Sequence, residues 1–314
     1  MRAPFVFVVG KGRSGTTLVR AMLTAHPEMA IPPETHFIVR MSKRPDVMKE
    51  GRVDTGVLVD RLKGHHGFAK MGLDHEAVRQ QLESSRPLSY PDAIRTIFGM
   101  YAASKGKPRY GDKTPGHVMQ IPALATMFPE GRFIHVIRDG RDVLLSNLET
   151  RFGSADVAEG ALVWRRVVVE GQKAGAELEA ERYCEIRYED LLDDPEGQVR
   201  RLADFCSLDF DRDMLRYFDK GSEIVGSAWH HRNLNLPPTK GLRNWRIEMP
   251  RHHVFAFERL AGDQLDTLGY ERSSERASLS GWLELGNSWF AFQQRRTLNF
   301  TKRVRRPKKQ ESRR

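Results

Sequence analysis

Cysteine is nearly absent from this chain: 314 residues carry only Cys184 and Cys206. A disulfide-stapled fold is excluded, and neither cysteine has the spacing of a structural zinc site. The eleven histidines contain no HExxH or related pattern, and pairs such as His65-His66 and His252-His253 diverge on a helix or point to opposite faces of a strand. No metal is expected. Long apolar runs are missing too. Nothing reaches the roughly 20 residues that cross a bilayer, and a β-rich segment starts so close to Met1 that no room is left for a secretion signal. A cytoplasmic setting is the expectation.

Acidic residues are scarce at one end only. From Arg295 to Arg314 there are ten Lys/Arg against the single acid Glu311, while the remaining residues carry 41 basic and 40 acidic groups. Of the net charge of +10, the tail therefore carries +9. No groove-reading helix or nucleic-acid motif accompanies the charge, which argues against nucleic acid as a partner. Upstream of the basic run, Trp282, Leu283, Leu285, Trp289, Phe290 and Phe292 give an amphipathic segment. Amphipathic helix plus cations is a pattern that rests on an anionic membrane surface, and a solubilising tail is the alternative. The expected division is a main domain over 1–272 and an amphipathic, basic tail over 273–314.

Strands are expected at Phe5–Val9, Ala30–Ile31, Arg109–Gly111, Arg132–Ile137 and Tyr183–Arg187. Helices are expected at 16–24, 74–83, 91–103, 157–181, 195–206, 211–219 and 251–268, with one more ending near Leu148. Strands separated by helices imply an α/β fold: a P-loop-type parallel β-sheet flanked by helices on both faces, in a single domain with helical insertions. Ligands of such sheets bind beyond the carboxyl ends of the strands.

At the first strand end the chain reads Gly10-Lys11-Gly12-Arg13-Ser14-Gly15-Thr16-Thr17. A glycine-rich turn between strand and helix cradles phosphate, because loop N–H groups and the helix N-terminus converge on the anion. The spacing is that of a P-loop, yet Thr16 stands where the lysine that reaches the β/γ-phosphates belongs. Strand 132–137 ends in Arg138 where a metal-binding Asp would be expected. Both departures weigh against a small-molecule kinase. A non-catalytic nucleotide-binding protein at a membrane surface is the other alternative; it would bind nucleotide but turn nothing over.

Four segments, in order, carry a family resemblance. Gly12 to Leu23 with His26-Pro27 and Glu34-Thr35, Phe133 to Val143 with Ser146, Tyr188-Glu189-Asp190-Leu191 with Pro195, and Lys240 to Trp245 together resemble the sulfotransferases, in their bacterial and tyrosylprotein branches. The resemblance implies a donor, 3′-phosphoadenosine 5′-phosphosulfate, a hydroxyl-bearing acceptor and no metal. It implies that Arg13, Ser14, Gly15, Thr16 and Thr17 bind the 5′-phosphosulfate, and that Arg138 and Ser146 hold the 3′-phosphate. Lys113 resembles a lysine that stabilises charge developing on the leaving oxygen. Glu34 occupies the place of the general base, with a pKa expected to be raised towards working pH. His36 is its competitor, sharing a face with Glu34 if the segment is extended. Lys240, Gly241 and Arg243 match a loop that closes over the nucleotide; Thr239, Arg243 and Asn244 replace its usual arginine, glycine and aspartate. Tyr188 is placed either at the adenine or as a buried residue ending a strand.

Overall fold

Alternation inside the first strand sets the architecture. In β1 (Val6–Gly10), Phe7 and Val9 join Phe5 in one apolar cluster while Val6 and Val8 join another, as side chains of a strand pointing to opposite faces must. A strand buried on both faces needs cover on both. The computed structural model describes residues 2–49, 51–85, 88–148, 156–220, 244–273 and 279–304. Its central sheet is parallel and five-stranded, in the order β2-β5-β1-β6-β7. The strands are β1, β2 (Met29–Ala30), β5 (Arg109–Lys113), β6 (Arg132–Ile137) and β7 (Tyr183–Arg187); β3 (Met48–Lys49) and β4 (Arg52–Val53) form a separate antiparallel pair.

One face of the sheet carries Phe5, Phe7 and Phe133 under helices Tyr90–Ser104 and Ile121–Met127. Phe7 stacks on Phe5 at 4.5 Å and on Phe133 at 5.1 Å, with Phe128 at 5.6 Å. The other face buries Val6, Val8, Ile134, Val136 and Ile186 beneath α1 (Thr16–Ala25) and helix Pro195–Phe205. Lys107 anchors the far end of α1: its Nζ donates to the carbonyls of Thr24, His26 and Met29 at 2.5, 2.9 and 3.1 Å. A cation at the negative end of a helix is favourable, and here it also fixes the turn into β2.

Register brings the strand ends to one edge. Val8 lies beside Lys113 and Gly10 beside Val136, so the loop after β1, the end of β5 and the end of β6 are adjacent. Three expectations from sequence change. β5 runs on to Lys113, which makes Asp112 and Lys113 strand residues. The helix expected at 211–219 is replaced by two tight turns, Arg212–Met214 and Tyr217–Lys220, closed by bonds such as Leu215 N–H to Arg212 O. The long helix from Val157 stops at Ala176, where Gly175 packs against the Tyr183 ring so closely that a Cβ would lie 2.4 Å from it.

The chain forms two compact units, Met1–Arg138 with Val167–Lys240, and Asp139–Arg166 with Gly241–Arg314. The sheet lies in the first. The second is centred on Arg141, 1 % exposed, which bonds Asp139 at 2.7 Å and Glu258 at 2.6 Å and lies 3.6 Å from the Trp245 ring. Helix Leu279–Val304 packs its Trp282 edge-on to Phe255 at 5.4 Å, leaving Leu279, Leu283 and Phe290 exposed. Among the described residues no helix is long and apolar enough to cross a membrane.

Phe7→Ala is expected to lower stability by about 3–5 kcal/mol in urea denaturation, as loss of a fully buried aromatic in a packed cluster does. A loss below about 1 kcal/mol would contradict the central place given to this ring.

Candidate active site

The loop after β1 depends on backbone that only glycine tolerates easily. A Cβ on Gly10 would come within 2.5 Å of the Val136 carbonyl oxygen across the sheet. Gly15 has φ +95°, and a Cβ there would lie 2.4 Å from the Tyr188 ring. Arg13 also holds a left-handed backbone, φ 75°, without being glycine, a strain of the kind that proteins keep at functional sites. Ser14 and Thr16 are buried, and the Ser14 amide donates to Lys11 O at 3.1 Å. Among the described residues no side chain caps α1; the Gly15 carbonyl receives Leu18 and Val19 N–H, which leaves the amides of Thr16 and Thr17 without a partner within the helix. A strained loop leading into an uncapped helix start fits an anionic phosphosulfate.

Lys113 lies where this loop meets the segment after β2. Its Nζ is hydrogen-bonded to Glu34 Oε1 and lies 3.4 Å from Thr17 Oγ1, with the residue only 1 % exposed. Lys70 Nζ approaches the other Glu34 oxygen at 4.0 Å. Burial alone would raise the Glu34 pKa, but the charge and hydrogen bond of Lys113 outweigh it and carry the carboxyl down to about 2. This reverses the raised pKa expected from sequence: the site supplies a partner as well as desolvation. For Lys113 the balance tips the other way, and burial lowers the ammonium to about 8 against the pull of Glu34.

His36 does not continue an extended segment. Its φ of 56° turns the backbone, so the alternation that would put it on one face with Glu34 is broken. Desolvation lowers its pKa, which keeps the imidazole neutral near pH 7.

A buried polar network, not foreseen from sequence, ties the Glu34 segment to the end of β5. Thr35 Oγ1 donates to Asp112 Oδ1 at 2.6 Å, Thr114 Oγ1 to the same oxygen at 3.2 Å, and the Thr35 amide to Thr114 Oγ1 at 3.2 Å. His117 Nδ1 lies 2.9 Å from Asp112 Oδ2. Strand alternation explains the division of labour: Lys113 faces Glu34, and its neighbour Asp112 faces Thr35 from the opposite side. Arg20, nearly buried in α1, donates from Nε to Ile31 O at 2.8 Å and steadies the start of the same segment. The signal in the sequence was Asp112 and Thr114 flanking Lys113, with Thr35 beside Glu34.

At the end of β6, Arg138 is 8 % exposed with its guanidinium 4.5 Å from the Tyr188 ring centre. Tyr188 begins helix Tyr188–Asp193 and covers Gly15, so it adjoins both the loop and Arg138. Arg13, Thr17, Glu34, His36, Lys113, Arg138 and Tyr188 all belong to the first unit, while Ser146, 6 % exposed in helix Gly140–Leu148, belongs to the second. Lys240, Gly241 and Arg243 lie outside the described residues.

A family model described as "Sulfotransferase family" matches residues 4–212, and the chain belongs to that family. It is a sulfuryl-transfer enzyme with 3′-phosphoadenosine 5′-phosphosulfate as donor. Similar curated proteins include a putative protein-tyrosine sulfotransferase of Caenorhabditis briggsae, 24% identical over 88% of this chain and 92% of that protein. Another is the nodulation protein NoeE of Sinorhizobium fredii, 25% identical over 90% of this chain and 70% of its own length. The chain spans a little over half, 53%, of a Caenorhabditis elegans protein-tyrosine sulfotransferase to which it is 28% identical over 68% of its length. Among solved structures, the sulfotransferase domain of the Synechococcus PCC 7002 olefin synthase shares the fold, with TM-score 0.62 and 22% identity over 86% of this chain and 96% of that one.

Gly15→Ala should destabilise the chain by about 1–3 kcal/mol, through the left-handed backbone and the clash with Tyr188. In urea denaturation the double variant Gly15→Ala/Tyr188→Ala should lose less than the sum of the singles, since the clash is removed. Strict additivity would contradict the close approach.

Proposed function

We propose that the enzyme transfers the sulfuryl group to an acceptor hydroxyl by in-line displacement, with Glu34 as base and Lys113 as the cation that couples donor to acceptor. The observation that carries this reading is the position of Lys113 Nζ, within reach of both Thr17 of the donor loop and Glu34. An ammonium between an anion cradle and a carboxylate marks the point where a sulfuryl group and an attacking oxygen meet.

The acceptor oxygen gives its proton to a Glu34 oxygen and forms a bond to sulfur. The bond from sulfur to the 5′-phosphate oxygen breaks, and adenosine 3′,5′-bisphosphate leaves with that electron pair. Arg13, Ser14, Gly15, Thr16 and Thr17 hold the 5′-phosphosulfate, with Arg13 adding a planar donor fork. Arg138 is the cation for the 3′-phosphate, and the resemblance in sequence adds Ser146, Lys240, Gly241 and Arg243 as further nucleotide-binding residues. Tyr188, against both Gly15 and Arg138, forms a wall of the nucleotide site. The chemistry requires no metal, because two fixed cations neutralise the oxyanions.

Glu34 at about 2 is ionised at working pH but is a weak base while Lys113 holds it. The donor's negative charge, on its 5′-phosphate as well as its sulfuryl oxygens, draws Lys113 away from Glu34. The desolvation that already pushes the carboxyl up is then no longer outweighed, and Glu34 becomes basic only when a donor is in place. His36, neutral and close by, is the alternative base. Hydroxyl acceptors are supported by the relatives whose names specify protein tyrosine.

Two tests follow from Lys113. Lys113→Ala should lower kcat by about 10²-fold or more, as removal of a transition-state contact does; near-normal turnover would remove it from the mechanism. The charged form is the active one and the free-enzyme pKa is lowered to about 8. Thus kcat/KM for the donor should be level below pH 8 and fall as pH rises above it, and Lys113→Arg should carry that limb upward. An identical limb in Lys113→Arg would assign it to another group.

Association with an anionic membrane surface, in a cytoplasmic setting, completes the proposal. It is supported by exposed Leu279, Leu283 and Phe290 on one face of helix Leu279–Val304, and by the basic run that follows in the sequence. Flotation with phosphatidylserine-containing vesicles but not with phosphatidylcholine alone is the expected result; no flotation with either rejects it.

A further inference from the structure

Helix Arg251–Thr267 carries His252 and His253 in its first turn, and Glu284 of helix Leu279–Val304 approaches them. All three residues are half-buried and belong to the second unit. One ring nitrogen of each histidine and one carboxylate oxygen of Glu284 lie within 4.8 Å of one another. The imidazole centres are 4.5 Å apart with the rings inclined at 69°, so the two side chains converge where a helix would ordinarily make neighbours diverge. This reverses the divergence expected from sequence.

The separations suit a shared ion better than direct bonds. His253 Nε2 is 3.8 Å from Glu284 Oε1, beyond hydrogen-bond reach. Ligands held at about 2.0–2.1 Å around a tetrahedral ion stand ~3.3 Å apart, so a small closing movement would seat one. Nε2 is the His253 nitrogen that faces the carboxylate; Nδ1, the ring's other nitrogen, is buried and has no hydrogen-bond partner among the described residues. Ser288 Oγ donates to Glu284 Oε1 at 2.6 Å and so orients the carboxylate, the supporting role that ligating carboxylates commonly receive.

We propose that His252, His253 and Glu284 form a binding site for a divalent transition metal of the zinc type, which clips helix Leu279–Val304 to helix Arg251–Thr267. Two imidazoles and one carboxylate suit zinc, whereas calcium and magnesium demand oxygen ligands. Water completes the fourth position. None of the three residues is assigned to sulfuryl transfer, so the clip is structural and the tail helix is what it secures.

The full chain, freed of metal with a chelator, is titrated with Co²⁺ followed by absorption and with Zn²⁺ followed by calorimetry. The expected result is one equivalent bound, Zn²⁺ displacing Co²⁺, and a melting temperature raised by Zn²⁺. His253→Ala and the isosteric Glu284→Gln should each weaken binding by about 10-fold or more, with unchanged sulfuryl transfer and unchanged circular dichroism in the absence of metal. Absence of saturable uptake by the unmodified chain overturns the proposal. Uptake that Glu284→Gln and His253→Ala leave unaltered overturns it as well, since the metal then sits elsewhere.

Discussion

The ion pair of buried Lys113 with half-buried Glu34 is the constraint on which the rest of the site depends. Removing an ammonium from water at the end of β5 is costly, and at 1 % exposure Lys113 must have a partner. Glu34 is that partner, and the pair holds the segment after β2 against the donor loop. Its energetics are asymmetric. Deleting Glu34 leaves the Lys113 ammonium desolvated and unpaired, at a cost of about 3–5 kcal/mol, whereas deleting Lys113 leaves a carboxylate that still reaches solvent. A bound anion can replace the carboxylate without stranding the cation. In the proposed mechanism such a pair acts as a switch with the donor as its trigger.

The scaffold serves this geometry through register and through a second layer of bonds. Parallel pairing sets Lys113 beside Val8 and therefore close to the start of the glycine loop. Alternation along β5 turns Asp112 the other way, into Thr35, Thr114 and His117, so adjacent residues carry the cation and its brace. Arg20 holds the Ile31 carbonyl from α1. The carboxylate is thus aimed by the central sheet, the donor-loop helix and a buried aspartate together. Such over-determination is what a strained φ at His36 and at Arg13 requires in order to persist.

What the sequence revealed, and what it withheld, follows from the range of the forces involved. β6 was legible to the residue as an apolar run ending before Arg138, and β7 as an alternating segment with Cys184 and Ile186 buried, ending before Tyr188 and its following acids. The turn after β1 was legible because a left-handed turn calls for glycine, and Gly15 has that backbone. The Asp112 brace was not: Asp112 and Thr114 flank Lys113 in the sequence, but nothing local pairs them with Thr35, 77 positions from Asp112. The direction of the Glu34 pKa was missed for the same reason: burial could be guessed, but the lysine that overrides it lies 79 positions away. Arg141, at the centre of the second unit, carries no local sign of that place, because Glu258 and Trp245 reach it from distant sequence.

The most direct test of the switch is the ionisation of Glu34 itself, followed by carbon-13 NMR of its side-chain carboxyl with and without adenosine 3′,5′-bisphosphate. The expected result is a carboxyl that stays ionised in the free enzyme down to the lowest pH at which the fold survives, in line with a pKa of about 2, and a clear upward shift once the bisphosphate is bound. A Glu34 that titrates in the ordinary carboxylate range in the free enzyme, or that the bisphosphate leaves unmoved, would contradict the coupling of donor and base through Lys113.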